Sequence, residues 1–155
     1  MPYAYQSNQS FLAIPHGVTE KPFAVVGIPY DGAVTNRPGA RFGPSAIRQA
    51  SQMLCAGTHP YFDVSPFDEL TDYGDLMMPN TSIEGMRASL AAQIPDIIAK
   101  HHVCWVGGDH SITLGLLRAY RAHYQKPLAV LHFDAHCDTW DTHFDEPSGH
   151  GTWVY

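Results

Sequence analysis

Residues 132–138 read His-Phe-Asp-Ala-His-Cys-Asp. Asp134, His136 and Asp138 are metal-ligand residue types at every second position, directly after the apolar run Leu128-Ala129-Val130-Leu131. In extended backbone alternate side chains share a face. The spacing therefore predicts that these three converge, while Ala135 and Cys137 turn away, Cys137 into core packing. Two carboxylates and an imidazole crowded together repel one another and lose solvation, and a divalent cation is the simplest compensation. A carboxylate-rich set with imidazole and no thiolate favours Mn²⁺, with Zn²⁺, Fe²⁺ or Ni²⁺ as alternatives.

The elements that must position this cluster can be read from apolar runs and turn signals. A buried strand is expected over 23–28. A Gly- and Pro-rich loop, 29–43, follows, and then a helix from Pro44 to about residue 54. Residues 70–75 fit a short strand. Ser82 is placed to cap a long helix from Ile83 to about Lys100, with Glu84 in its first turn and Pro95 expected to kink or divide it. A strand over 102–106 leads through Gly107-Gly108-Asp109-His110-Ser111 into a helix over 112–123. The last clear strand is expected at 128–133. Residues 1–21 are polar and dotted with proline, and read as an irregular arm. Strands alternating with helices imply an α/β fold with a mostly parallel sheet flanked by helices. In such sheets sites form at the carboxyl ends of strands, which puts His110 and the 134–138 cluster on one edge.

The bulk composition narrows the function classes. The chain has 155 residues, one domain's worth, is 45% hydrophobic, and carries a formal net charge of −6. It has no basic run, which argues against nucleic acid as a partner. No apolar run is long enough to span a membrane, and no signal peptide is evident. Cys55, Cys104 and Cys137 are odd in number and form no C-x-x-C pair, which fits free thiols in a reducing compartment, the cytoplasm.

Taken together, Gly107-Gly108-Asp109-His110-Ser111 and Asp134-Ala135-His136-Cys137-Asp138 resemble the ureohydrolases, the arginase and agmatinase family. Gly27-Ile28-Pro29-Tyr30-Asp31 and the stretch from Arg37 to Arg48 match as well, so the resemblance runs from about Phe23 to Tyr155. Its details lean toward the agmatinase-like branch. The resemblance implies an arginase-like three-layer α/β/α fold and a binuclear manganese site. His110 and Asp138 would bind one ion and His136 the other, with Asp134 bridging. His150, in Asp145-Glu146-Pro147-Ser148-Gly149-His150-Gly151-Thr152, matches the family's catalytic histidine. The implied reaction is hydrolysis of a guanidino compound to urea and an amine, in the setting of polyamine metabolism, with His150 as proton shuttle. The implied assembly is a homo-oligomer, a trimer or hexamer.

One departure matters. The family carries a second pair of metal-binding aspartates on a downstream strand, and this chain contains none. It resembles the N-terminal portion of a single, longer catalytic domain, apparently truncated. Alone it is expected to have little or no activity. The loop 139–149 carries Asp141, Asp145 and Glu146 but no Lys or Arg. An acidic rim suits a substrate with a cationic far end such as agmatine, and Trp140 and Asp141 are the candidate contacts. Alternatives are a guanidinobutyrase-like or other guanidino-acid enzyme, a related hydrolase of formimino or acetylated amines, and, from another class, an inactive metal-binding fragment or non-catalytic partner. Arg37, Arg41 and Arg48 are read as structural ties for the long loop.

Overall fold

The computed structural model describes residues 9–17, 20–54 and 57–155. Part of the expected arm, 1–8 and 18–19, and Cys55 lie outside the described residues. A three-stranded parallel sheet has the order β2-β1-β3, with β1 at Phe23–Ile28, β2 at Leu70–Asp75 and β3 at His102–Gly107. Phe23 is in register with Leu70 on one side and with His102 on the other. The ladder with β2 shifts between Val25 and Val26, where Tyr73 is the extra residue. Among the described residues three α-helices flank the sheet: α1 at Gly43–Ser51, α2 at Ile83–Ile98 and α3 at Ile112–Tyr124.

The central strand is apolar on both faces, as a strand covered on both sides should be. Ala24, Val26 and Ile28 pack with Met86, Leu90, Ile94 and Ile97 of α2 and with Ile112 of α3. Val25 points the other way, into a second cluster with Leu12, Ile14, Leu70 and Val106. Gly115 lets α3 close onto α2, since a Cβ there would stand 2.6 Å from Leu90 Cδ1. α2 starts as its sequence directs: Ser82 Oγ accepts from Gly85 N–H at 3.0 Å. It runs through Pro95 as one element. Proline removes one N–H near the end of the helix, and the buried face of Leu90, Ile94, Ile97 and Ile98 holds the last turns in place.

Residues 9–17, the described part of the expected irregular arm, pack onto the body of the fold. Leu12 and Ile14 are buried, Phe11 N–H donates to Asp72 Oδ2 at 2.5 Å, and Leu12 N–H donates to Ser51 Oγ at 2.8 Å. The apolar pair inside a polar stretch supplies the burial that holds the segment down.

The strand expected at 128–133 does not form. The segment has no place in the ladder, and Leu131 and Phe133 are 81% and 88% exposed. A strand exists only by pairing, and the described sheet offers β3 ladder bonds to β1 alone.

The arginines serve the framework. Arg48, 1% exposed, donates through Nε to Asp72 Oδ2 at 2.8 Å and through Nη2 to Asp72 Oδ1 at 2.9 Å, and pairs with Asp75. Arg41 Nε donates to Asp31 Oδ1 at 2.6 Å, and Gly39 N–H donates to Asp31 Oδ2 at 2.6 Å, which staples the 29–43 loop onto its own beginning. Burial would raise the carboxyls of Asp72 and Asp31. The guanidinium and N–H donors around each outweigh it and hold both below the usual carboxylate range.

Candidate metal centre

The turn after β3 brings His110 to the sheet edge. Gly108, at φ 35°, allows the tight path, because a Cβ there would lie 2.6 Å from Ile28 O and 2.4 Å from Tyr30 O. Asp109, 6% exposed, secures the turn. Its N–H donates to Tyr30 O at 2.8 Å, and its Oδ1 accepts from Ser111 N–H at 2.9 Å and from the Ser111 hydroxyl. Tyr30 is fully buried, and its hydroxyl has no hydrogen-bond partner among the described residues. Burial first, and then the Asp109 charge, push that phenol up to about 12.

His110 meets the 132–138 segment at this edge. Its Nδ1 is 2.8 Å from Asp138 Oδ2 and 3.4 Å from Asp134 Oδ2. His132 Nε2 is 3.4 Å from Asp134 Oδ2. It is buried, and no hydrogen bond of proper geometry satisfies it. One ligand atom from each of His110, His132, Asp134 and Asp138 lies within 4.8 Å of the others. Trp153 walls the group, with its ring 5.0 Å from both the His110 and the His132 rings, and its Nε1–H donates to Asp138 Oδ2 at 2.7 Å. The His136 N–H, at 2.9 Å, holds Asp134 below the usual carboxylate range, with the His132 and His110 imidazoles adding to the effect.

His110, Asp134 and Asp138 are brought together. His136 is not in that group of four; its side chain is 82% exposed, with Nδ1 3.3 Å from Asp134 Oδ1. The alternation that was to aim it inward needs extended backbone, whereas the chain bends at 135–136 and Asp138 takes a positive φ of 52°. The same bend overturns the reading of Cys137 as a core residue: it is exposed, with Sγ 3.5 Å from Thr139 Oγ1. His150 stands in a cleft of about 410 Å³ beside Asp138, lined also by His136, Trp140 and His143. Its Nδ1 is 2.8 Å from Ala33 O. Trp140 is half-exposed in that cleft, while Asp141 is outside the lining, its Oδ1 accepting from Thr142 N–H at 2.8 Å.

Sequence reasoning missed His132, His143 and Trp153. His132 carried a signal, because it shares the every-second-residue spacing with Asp134. His143, whose ring is 4.7 Å from Trp140 and 5.3 Å from His150, and Trp153 are defined only by tertiary contact.

The donor chemistry fits a divalent cation. Two imidazoles and two carboxylates converge with no thiolate, and one buried imidazole nitrogen lacks a hydrogen-bond partner. Fold and cluster thus define a parallel α/β protein with a His/Asp metal-type centre at the carboxyl edge of its sheet.

The comparisons give that class a name. Residues 21–155 match the Arginase family, and the chain belongs to it. It is 44% identical over 136 residues to an agmatinase of Chromobacterium violaceum, covering 85% of this chain and 42% of that protein. Among solved structures, it resembles a hypothetical agmatinase from Burkholderia thailandensis, with a TM-score of 0.83 and 38% identity, covering 94% of this chain and 47% of that one. It resembles proclavaminate amidino hydrolase from Streptomyces clavuligerus with a TM-score of 0.83 and 33% identity, covering 97% of this chain and 52% of that one. The chain spans about half the length of the curated relatives it matches. No helix among the described residues is long and apolar enough to cross a membrane.

Proposed function

We propose that this chain is the N-terminal portion of a single ureohydrolase domain that hydrolyses agmatine to urea and putrescine with manganese. The observation that carries this reading is the convergence of His110, His132, Asp134 and Asp138 beside the cleft that holds His150. His110, Asp134, His136 and Asp138 are the residues assigned to hold two ions, with His132 as a further donor in the cluster. Bound there, the ions would activate water toward a guanidinium carbon that resonance otherwise protects.

The remaining roles belong to the chain. Trp153 fixes Asp138 by its indole N–H. His150 holds and delivers a proton so that the amine leaves in its protonated form. Trp140 offers an apolar face to the methylene chain. The 139–149 loop, acidic and without Lys or Arg, favours a cationic far end over a carboxylate. The free thiols of Cys104 and Cys137 accord with a reducing compartment, the cytoplasm, and the complete enzyme is proposed to assemble as a homo-oligomer.

The test is urea release by the complete protein with agmatine, arginine and guanidinobutyrate, with manganese and with chelator. Agmatine turnover that chelator abolishes, together with little or none from the 155-residue chain, is the expected result. Metal bound without turnover by the complete protein would support the non-catalytic alternative instead.

A further inference from the structure

We infer that Asp109 positions His150 through the backbone of Ala33, and so fixes Nε2 as the nitrogen that exchanges protons. The inference rests on the reading of His150 as the proton carrier. The two oxygens of Asp109 divide their work. Oδ1 is taken by Ser111, and Oδ2 accepts from Ala33 N–H at 3.0 Å. With Asp109 N–H on Tyr30 O, the end of β3 grips the 29–43 loop at two points. Ala33 then turns its carbonyl to His150 Nδ1 at 2.8 Å.

A carbonyl has no hydrogen to give, so Nδ1 must carry it. A neutral imidazole carries one hydrogen, which leaves the lone pair on Nε2. Proton uptake at Nε2 leaves the Nδ1–H bond to Ala33 untouched. The ring therefore keeps one orientation in both charge states, while the His143 ring, edge-on at 5.3 Å, flanks it. Asp109 is buried and reaches His150 by way of Ala33. It is a positioning residue for His150 as well as the lock of its own turn.

Long-range ¹H–¹⁵N NMR of the labelled complete protein reads the histidine tautomer directly, and hydrogen exchange reads the Ala33 amide. In the wild type His150 is expected as the Nδ1–H form, with a protected Ala33 amide. Asp109→Ala should mix the His150 tautomers and speed Ala33 exchange by about tenfold or more, while the amides of Val26 and Leu90 stay protected. Asp109→Asn, which replaces one accepting oxygen by a donor, is the milder variant and should move both readouts the same way. An Nε2–H tautomer in the wild type would overturn the inference. So would either folded variant with both readouts unchanged. Should neither variant fold, the wild-type tautomer and Ala33 protection decide it. None of these readouts needs turnover. Failure of His150→Gln to lower urea release in the complete protein would remove the proton-carrier role and leave the tautomer result standing.

Discussion

Trp153 donates its indole N–H to Asp138 at 2.7 Å while its ring lies 5.0 Å from His110. One side chain thus orients a carboxylate and walls the imidazole that faces it. Groups that orient metal ligands in this way typically govern affinity by about ten- to a hundredfold. Trp153→Phe keeps an aromatic ring, smaller than the indole, and removes the donor. Manganese affinity, titrated by calorimetry, is expected to fall about tenfold. Equal affinity in the variant would show that Asp138 needs no such support.

His132 and His136 can be separated by the same titration. His132 has a buried nitrogen within the group of four, whereas His136 is exposed beside it. His132→Ala should weaken the tightest manganese site of the chain, and His136→Ala should weaken it less. The reverse order would mean that the 132–138 segment rearranges around the ion.

Arg48 joins α1 to β2 through Asp72 and Asp75, out of contact with water. Arg48→Met leaves two buried carboxylates without their cation, and a loss of about 3–5 kcal/mol in urea unfolding is expected. The depressed Asp72 carboxyl sets the sign with pH. Its contribution is fully present above the unfolded-state value, 3.8, and is lost as pH falls through the lower folded value. Wild-type acid unfolding should therefore begin below pH ~4, and the variant should lack this contribution.

Gly108→Ala forces a Cβ against Tyr30 O and Ile28 O in a left-handed conformation. A destabilisation of about 2 kcal/mol or more is expected, with weaker manganese binding because His110 is displaced. An unchanged urea midpoint would contradict the close approach.

Tyr30→Phe deletes a buried hydroxyl that has no hydrogen-bond partner among the described residues. Stability should be unchanged or slightly raised, since no bond is lost and a desolvated group is removed. A clear loss in thermal unfolding would reveal a partner for that hydroxyl.

Much of the framework was legible before any coordinates. Three strands and three helices sit where apolar runs and turn residues put them, because Val25, Val26 and Ile28, or Leu90 and Ile94, have no stable place but a core. What stayed hidden depends on neighbours. The run at 128–133 has strand composition, but composition supplies no ladder. Alternation pointed His136 inward until the bend at 135–136 undid it, and the same rule, followed two residues back, would have found His132. Trp153 becomes part of the site only through its contacts with His110, His132 and Asp138.

The middle strand of the described sheet comes first of its three strands in chain order, and both of its neighbours come from far later in the chain. During synthesis β1 must emerge as an unpaired apolar ribbon and wait for β2, and then for β3. An apolar strand is thus kept waiting for partners distant in sequence, and an order of assembly built on such long-range pairings favours slow folding.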